Sequence, residues 1–184
     1  GSIMGMAMGT SEAVGYVDKE KNVLGWINEL AFAPVDLNEN AMQDEWSTDF
    51  GVGCKYFSQD AVNKLAPRAG IELDENLTPA EKLKVVQALM EKDDPRAAAV
   101  YKDIGIYLAY TVVLYSHFYN IHHLMLLGRV MSGKGGDLIL STCINVLKDE
   151  FPALGEKVNV MLPDENTRRV GQSAAAASLP EIKN

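Results

Sequence analysis

The residues best suited to chemistry lie in the stretch 124–137, LMLLGRVMSGKGGD, an apolar run that ends in a glycine-rich turn ahead of a helix-like segment. Glycine lets backbone approach a ligand closely, and in open α/β sheets ligands sit beyond the carboxyl ends of strands. A helix start near Gly135 and Gly136 also offers free N–H groups to an anion, although the same glycines would serve a tight strand-to-helix connection. Gly128, Gly133 and Lys134 stand at the G-x-x-x-x-G-K spacing of a phosphate loop. Gly135 takes the place of the Ser or Thr that holds magnesium there, so the P-loop assignment fails. A second candidate is Met8-Gly9-Thr10-Ser11, a hydroxyl-bearing turn between two apolar segments. It can lay N–H groups and the Thr10 hydroxyl against a phosphate, or act as a simple β-turn. Asn28 and Glu29 form a third, an amide and an acid among the large apolar residues of WINELAF. A carboxylate buried there unpaired would cost several kcal/mol, so Glu29 either caps a turn or accepts hydrogen bonds from a polyhydroxyl ligand. His117, His122 and His123 have no carboxylate at ligand spacing and are assigned structural roles.

Positioning these groups requires a mixed α/β architecture. Strands are expected at 3–8, 13–18 and 23–27, the last continuing through 31–35, joined by the turns Gly9-Thr10-Ser11 and DKEKN as an antiparallel meander. Residues 37–57 are rich in Asn, Asp, Glu and Gly without a clear period and are expected to be a long connection, uncommon unless it serves a site. Helices follow at 58–69, stopping at Gly70, then at 78–92 behind the capping box Thr78-Pro79-Ala80-Glu81, then at 94–119 as the central core helix. The last third alternates strand 124–130, helix 136–151, strand 158–162 and helix 165–178. Two strands separated by a helix-length crossover imply a right-handed parallel βαβ unit.

With 184 residues, 47% of them hydrophobic, the chain can bury a sizeable core as a single domain or a lobe of something larger. A formal net charge of -8 is the wrong balance for a protein held on nucleic acid by phosphate neutralisation. The longest strongly apolar run, 104–114, is too short to span a bilayer, so no membrane role is expected. Cys54 and Cys143 are the two cysteines, too few for a disulfide framework or a four-cysteine zinc site, which favours a cytoplasmic setting. Gly1-Ser2 resembles a cloning scar, and the chain opens directly on a strand, so it is expected to be a fragment.

These motifs, in this order, resemble the ribonuclease-H-like lobe of the sugar kinase, Hsp70 and actin superfamily, and within it the C-terminal lobe of a ROK-family sugar kinase. Gly9-Thr10 followed by AVGYV resembles the second phosphate loop and its following strand. GWINELAFAPV, from Gly25 to Val35, is similar to the family's G-x-x-G-E-x-G-H-x-x-V segment, whose glutamate contacts sugar hydroxyls and falls on Glu29. Residues 124–137 resemble the adenosine motif, and 168–179 the final helix. The resemblance implies a five-stranded mixed sheet, three antiparallel strands then parallel βαβ units, flanked by helices. It also implies a nucleotide site at Gly9, Thr10, Gly128, Arg129 and Gly133, a sugar site at Asn28 and Glu29, and ATP with magnesium as cofactor.

Three departures qualify it. The family's histidine is Phe32 here, and its cysteine-rich zinc loop shrinks to Gly51-Val52-Gly53-Cys54, so no structural zinc is expected. The doubled glycine of the adenosine motif becomes Gly128-Arg129, leaving Arg129 to stack on the base or face solvent. The first phosphate loop and the catalytic aspartate belong, in this superfamily, to an N-terminal lobe outside residues 3–184. Phosphoryl transfer needs groups from both sides of a cleft, so this chain is expected to be the nucleotide- and hexose-binding half of a glucokinase-like enzyme, without a catalytic residue and inactive alone. The alternative is a catalytically silent, sugar-sensing ROK-type regulator or scaffold. Homodimerisation through this lobe is compatible with both.

Overall fold

The structure is a computed structural model and describes residues 1–23 and 29–163. Strand β1 (Ile3–Met8) alternates strictly: Met4, Met6 and Met8 are fully buried while Ile3, Gly5 and Ala7 face the other way. It pairs antiparallel with β2 (Glu12–Val17), Met8 opposite Glu12, across the turn Gly9–Ser11. On its other side β1 pairs parallel with β3 (His123–Leu127), which pairs parallel with β4 (Asn159–Met161). The sheet order is therefore β2-β1-β3-β4. A parallel partner for β1 demands a long crossover, and residues 18–122 supply it.

The described residues hold four of the five expected strands, and the expected strand over 23–27 lies almost wholly outside them. Val23 makes one antiparallel bridge with Val17, residues 24–28 lie outside the description, and Leu30–Phe32 is a 3-10 turn in place of the strand expected over 31–35. The expected helix over 165–178 also lies outside the described residues. The remaining elements follow the local signals. In α1 (Gln59–Arg68) the Ser58 hydroxyl accepts the Asp60 N–H, and Gly70 turns the chain away at φ +78°. In α2 (Pro79–Glu91) the Thr78–Glu81 capping box closes in both directions. Asp94 caps α3 (Pro95–Ser116) by accepting from Arg96 N–H. Helix α4 (Gly133–Glu150) begins three residues earlier than the expected start at Gly136, and α5 (Pro152–Lys157), which was not anticipated, leads into β4.

By length and composition α3 is apolar enough to cross a membrane. Here it serves as the core helix, burying Val100, Tyr101, Ile104, Leu108 and Val112 within the cluster that contains Met4, Met6, Leu124 and Leu126. Small residues let it approach α4: a Cβ added at Gly105 would stand 2.7 Å from Thr142 Cβ, and one at Gly135 2.5 Å from the Tyr101 ring.

The 37–57 segment is far from a structureless loop. Bridges Pro34↔Val52 and Gln43↔Phe50 fold it back on itself, and Tyr56 and Phe57 anchor it in the core. Its centre is Lys55, whose ammonium is buried and lies 2.9 Å from Asp44, 2.7 Å from Glu45 and 2.7 Å from Asp60. Burial alone would lower the Lys55 pKa, but hydrogen bonds to Asp60, Glu45 and Asp44 outweigh it and raise it. Removing one member of a buried ionic group strands its partners, so Lys55→Met should destabilise the protein by about 3–5 kcal/mol, read as a lowered urea midpoint. Asp60→Asn, at the solvent side of the cluster, should cost much less.

Candidate functional site

In parallel strands the carboxyl ends share one edge, and here that edge gathers the turn after β1 and the turn after β3. Gly128 decides how closely they meet. Its φ of +98° is left-handed, and a Cβ there would stand 2.2 Å from the Met8 carbonyl oxygen and 2.7 Å from Met8 N. Only glycine fits, and the backbone of the Gly128–Ser132 turn consequently lies directly over the end of β1. Gly9 and Thr10, predicted from one motif, and Gly128 and Arg129, predicted from another, are thus brought together. Gln59 N–H, the first amide of α1, donates to Gly9 O at 2.8 Å, so the positive end of α1 abuts the same hairpin. Thr10 is exposed and its hydroxyl makes no hydrogen bond among the described residues.

Of the two roles open to the glycines at the start of α4, the structure favours the structural one. Gly135 and Gly136 are buried against the Tyr101 ring and the Met131 carbonyl, each too close to admit a Cβ. Their role is packing. The Lys134 N–H donates to Glu91 Oε1 at 3.2 Å, and a Cβ at Gly133 would stand 2.6 Å from that oxygen. The anion at this helix end is therefore the protein's own Glu91, and Gly133 sits against it. Lys134 itself reaches back to Asp93 at 2.7 Å.

A groove of about 350 Å³ opens beside the Gly128–Ser132 turn, lined by Ala80, Leu83, Lys84 and Gln87 of α2 with Arg129 and Ser132. Gln87 Nε2 donates to the Arg129 carbonyl at 2.9 Å, fixing the turn to α2. Two cations, Lys84 and Arg129, border an apolar floor, a composition suited to a flat base and a polyanionic tail.

Glu29 is exposed and makes no capping bond to the 3-10 turn that it precedes, so of its two expected roles the cap is not seen. Asn28 lies outside the described residues. A carboxylate that is buried is Glu12, at the start of β2, 5% exposed and with Oε2 unpartnered. The Tyr115 hydroxyl lies 3.5 Å from Glu12 Oε1 and 3.4 Å from the Leu30 carbonyl, linking the hairpin to the turn that follows Glu29. Gly53 presses on both: its added Cβ would stand 2.2 Å from Glu12 Oε2 and 2.8 Å from Leu30 O. Burial pushes the Glu12 carboxyl up to about 8, only partly offset by Tyr115. Strand alternation carried the signal, because Glu12 shares its face with Val14 and the buried Tyr16. Cys54, in the segment compared above with the family's zinc loop, is a buried thiol raised to about 11 by burial and the nearby Asp44. Among the described residues no group of three or more His, Cys, Asp or Glu could hold a metal ion. His122 instead bonds Ser2 Oγ at 2.9 Å, and His123 lies 3.5 Å from Asn159.

No protein-family model matches the sequence, and no curated protein matches it. Solved structures do. A ROK family glucokinase from Streptomyces griseus, in complex with glucose and AMPPNP, is 15% identical with a TM-score of 0.64, over 88% of this chain and 55% of that one. The ROK hexokinase from Thermus thermophilus is 16% identical with a TM-score of 0.65, over 91% and 53%. A ROK family transcriptional regulator, homolog of the E. coli MLC protein, is 14% identical with a TM-score of 0.66, over 88% and 41%. The fold is that of part of a ROK-type protein. The chain spans about half the length of the ROK-type structures it matches, and at these identities the likeness establishes architecture.

Two outcomes follow from the geometry. Gly128→Ala should cost about 3 kcal/mol or more, through strain and the clash with Met8, read by chemical denaturation. The unfolded chain ionises Glu12 near 4.5 whereas the folded chain holds the proton to about 8. The stability present below pH 4.5 should therefore be lost progressively as pH rises to about 8, by up to roughly 1.4 kcal/mol per pH unit, and level off above. Glu12→Gln, which keeps the shape of the protonated acid, should flatten that slope, and equal slopes in both proteins would contradict the assignment.

Proposed function

We propose that this chain is the nucleotide- and sugar-binding half, equivalent to the C-terminal lobe, of a ROK-family ATP-dependent hexose kinase of glucokinase type. The supporting observation is the convergence at one sheet edge of the Gly9–Ser11 hairpin, the Gly128–Ser132 turn and the groove against α2. In this reading the base and ribose lie in the groove along Leu83 and Gln87, with Arg129 in place of a glycine and able to stack on the base. The phosphates run towards Gly9 and Thr10, where the Thr10 hydroxyl is uncommitted and the α1 dipole favours negative charge. Gly133, turned towards Glu91, drops out of the contact set. Glu29, exposed on the turn tied to Glu12 through Tyr115, accepts hydrogen bonds from sugar hydroxyls.

The phosphates fit these groups without any metal ligand from the described residues. Magnesium would enter with the triphosphate and neutralise its charge, held from the opposite lobe. That lobe also supplies the base that deprotonates the acceptor hydroxyl. This half contributes positioning and charge stabilisation, which dominate phosphoryl transfer but act only when the cleft closes. The setting is the cytoplasm, and pairing of two such lobes into a homodimer is compatible with the fold.

One observation favours the second reading, a sugar-sensing regulator that has lost catalysis. Glu91 brings a carboxylate to the end of α4 that borders the nucleotide groove, where it would repel a triphosphate. The likeness to a ROK transcriptional regulator is as close as that to the kinases.

Calorimetric titration of the chain with Mg·AMPPNP separates the two. The kinase-half reading predicts binding that Arg129→Glu weakens about tenfold, roughly 1.4 kcal/mol, and no glucose phosphorylation by the chain alone. Absence of nucleotide binding, with glucose still bound, would support the regulator. Normal turnover of glucose by the isolated chain would overturn the assignment of the base to another lobe.

A further inference from the structure

A second cavity takes no part in the site above. It is a groove of about 580 Å³ between the last turns of α1, the middle of α3 and residues 35–38, and it shares no lining residue with the α2 groove. We propose that it is a second small-molecule site, for a neutral polyhydroxyl ligand of mono- or disaccharide size.

One wall is built rigidly. The amides of Val35 and Asp36 both donate to the Gly51 carbonyl, at 2.7 and 3.0 Å. Gly51 holds φ +70°, and a Cβ on it would stand 1.8 Å from the Asp36 carbonyl, so this crossing admits only glycine. Asp36, 8% exposed, accepts from Tyr56 Oη at 2.6 Å, Tyr107 Oη at 3.3 Å, Asn38 N at 3.0 Å and Asn38 Nδ2 at 2.6 Å. Burial would raise its pKa, but these donors outweigh it and hold the carboxyl below the usual range. They also lock the Tyr107 ring, 4.5 Å from Tyr56, into the groove wall. A site preorganised in this way loses little entropy when a ligand enters.

The groups left over define the ligand. Arg68 and Asp103 line the groove from α1 and α3; neither makes a hydrogen bond or a contact ion pair among the described residues, although Lys102 and Arg68 act on the Asp103 carboxyl through space. The Asn38 amide oxygen is likewise uncommitted. A cation would meet Arg68 and an anion would meet Asp103. Adjacent hydroxyls satisfy both, since each can donate to the carboxylate and accept from the guanidinium. The apolar face of a pyranose ring then has Tyr107 and the half-exposed Tyr110 to lie against. This combination of apolar lining with a few convergent polar groups is that of a small-molecule site.

The test is protein-observed NMR on the whole chain, with D-glucose and maltose as probes and L-glutamate as a zwitterionic comparison. Saccharide should shift the Asn38, Arg68 and Tyr107 resonances with millimolar affinity, and Glu29→Gln should leave those shifts unchanged. Asp103→Asn and Arg68→Ala, both at exposed side chains without a contact ion pair, should keep the wild-type melting temperature and each weaken binding at least about fivefold, close to 1 kcal/mol. No saccharide-induced shift, shifts confined to the surroundings of Glu29, or affinity untouched by both substitutions would overturn the proposal. So would preference for glutamate over both sugars. Because nucleotide is absent throughout, these results leave the nucleotide assignment to stand or fall separately.

Discussion

The crossing of Gly128 over the Met8 backbone is the contact on which the functional edge depends. Two parallel strands end side by side, and the chain leaving the second must turn without lifting away from the first. A side chain at that point would collide with the Met8 carbonyl, so the turn exists in this form only with glycine. Through it the β1 hairpin and the β3 turn become one surface, and Gln87 of α2 then fixes the far side through the Arg129 carbonyl. The Met4, Met6, Leu124 and Leu126 core beneath holds the two strands in register. A small displacement here would separate groups assigned to the same nucleotide.

Buried charge is handled in two ways within one small region. Lys55 remains ionised because three carboxylates surround it, and it fastens the 37–57 segment to α1 through Asp60. Glu12 lacks a cation, and burial keeps it protonated across most of the physiological range. A neutral acid beside Tyr115 and the Leu30 carbonyl joins the hairpin to the turn after Glu29 without placing a negative charge next to the loop proposed to bind phosphate. The contrast with Glu91 is instructive. That carboxylate stays near solvent, pairs with a helix amide, and takes up the donor that a phosphate would otherwise use.

Local chemistry was legible in the sequence where it acts locally. Ser58, Thr78 and Asp94 cap their helices, Gly70 ends one, and the β1 alternation appears as written, because each depends on neighbours a few residues apart. The parallel βαβ unit was legible for the same reason, from two apolar strands about 30 residues apart. Partnership across long separations was not. Glu29 stands among large apolar neighbours in the chain yet is exposed, whereas Glu12, flanked by Ser11 and Ala13, is enclosed, since Tyr115 and Gly53 reach it from distant elements. The acidic 37–57 stretch passed for a loop because its organising cation, Lys55, stands at its far end. The α4 glycines imitated a ligand loop because close helix packing and close ligand approach make the same demand on a side chain.

The central claim is that two loops separated by more than 110 residues form one nucleotide-binding edge. Amide chemical-shift mapping of the whole chain with Mg·AMPPNP tests it most directly. The account predicts shifts clustered at Gly9, Thr10, Gly128, Arg129 and the facing turn of α2, all saturating together at one affinity. Shifts that skip the Gly9–Ser11 hairpin, or that fall in the groove between α1 and α3, would contradict it.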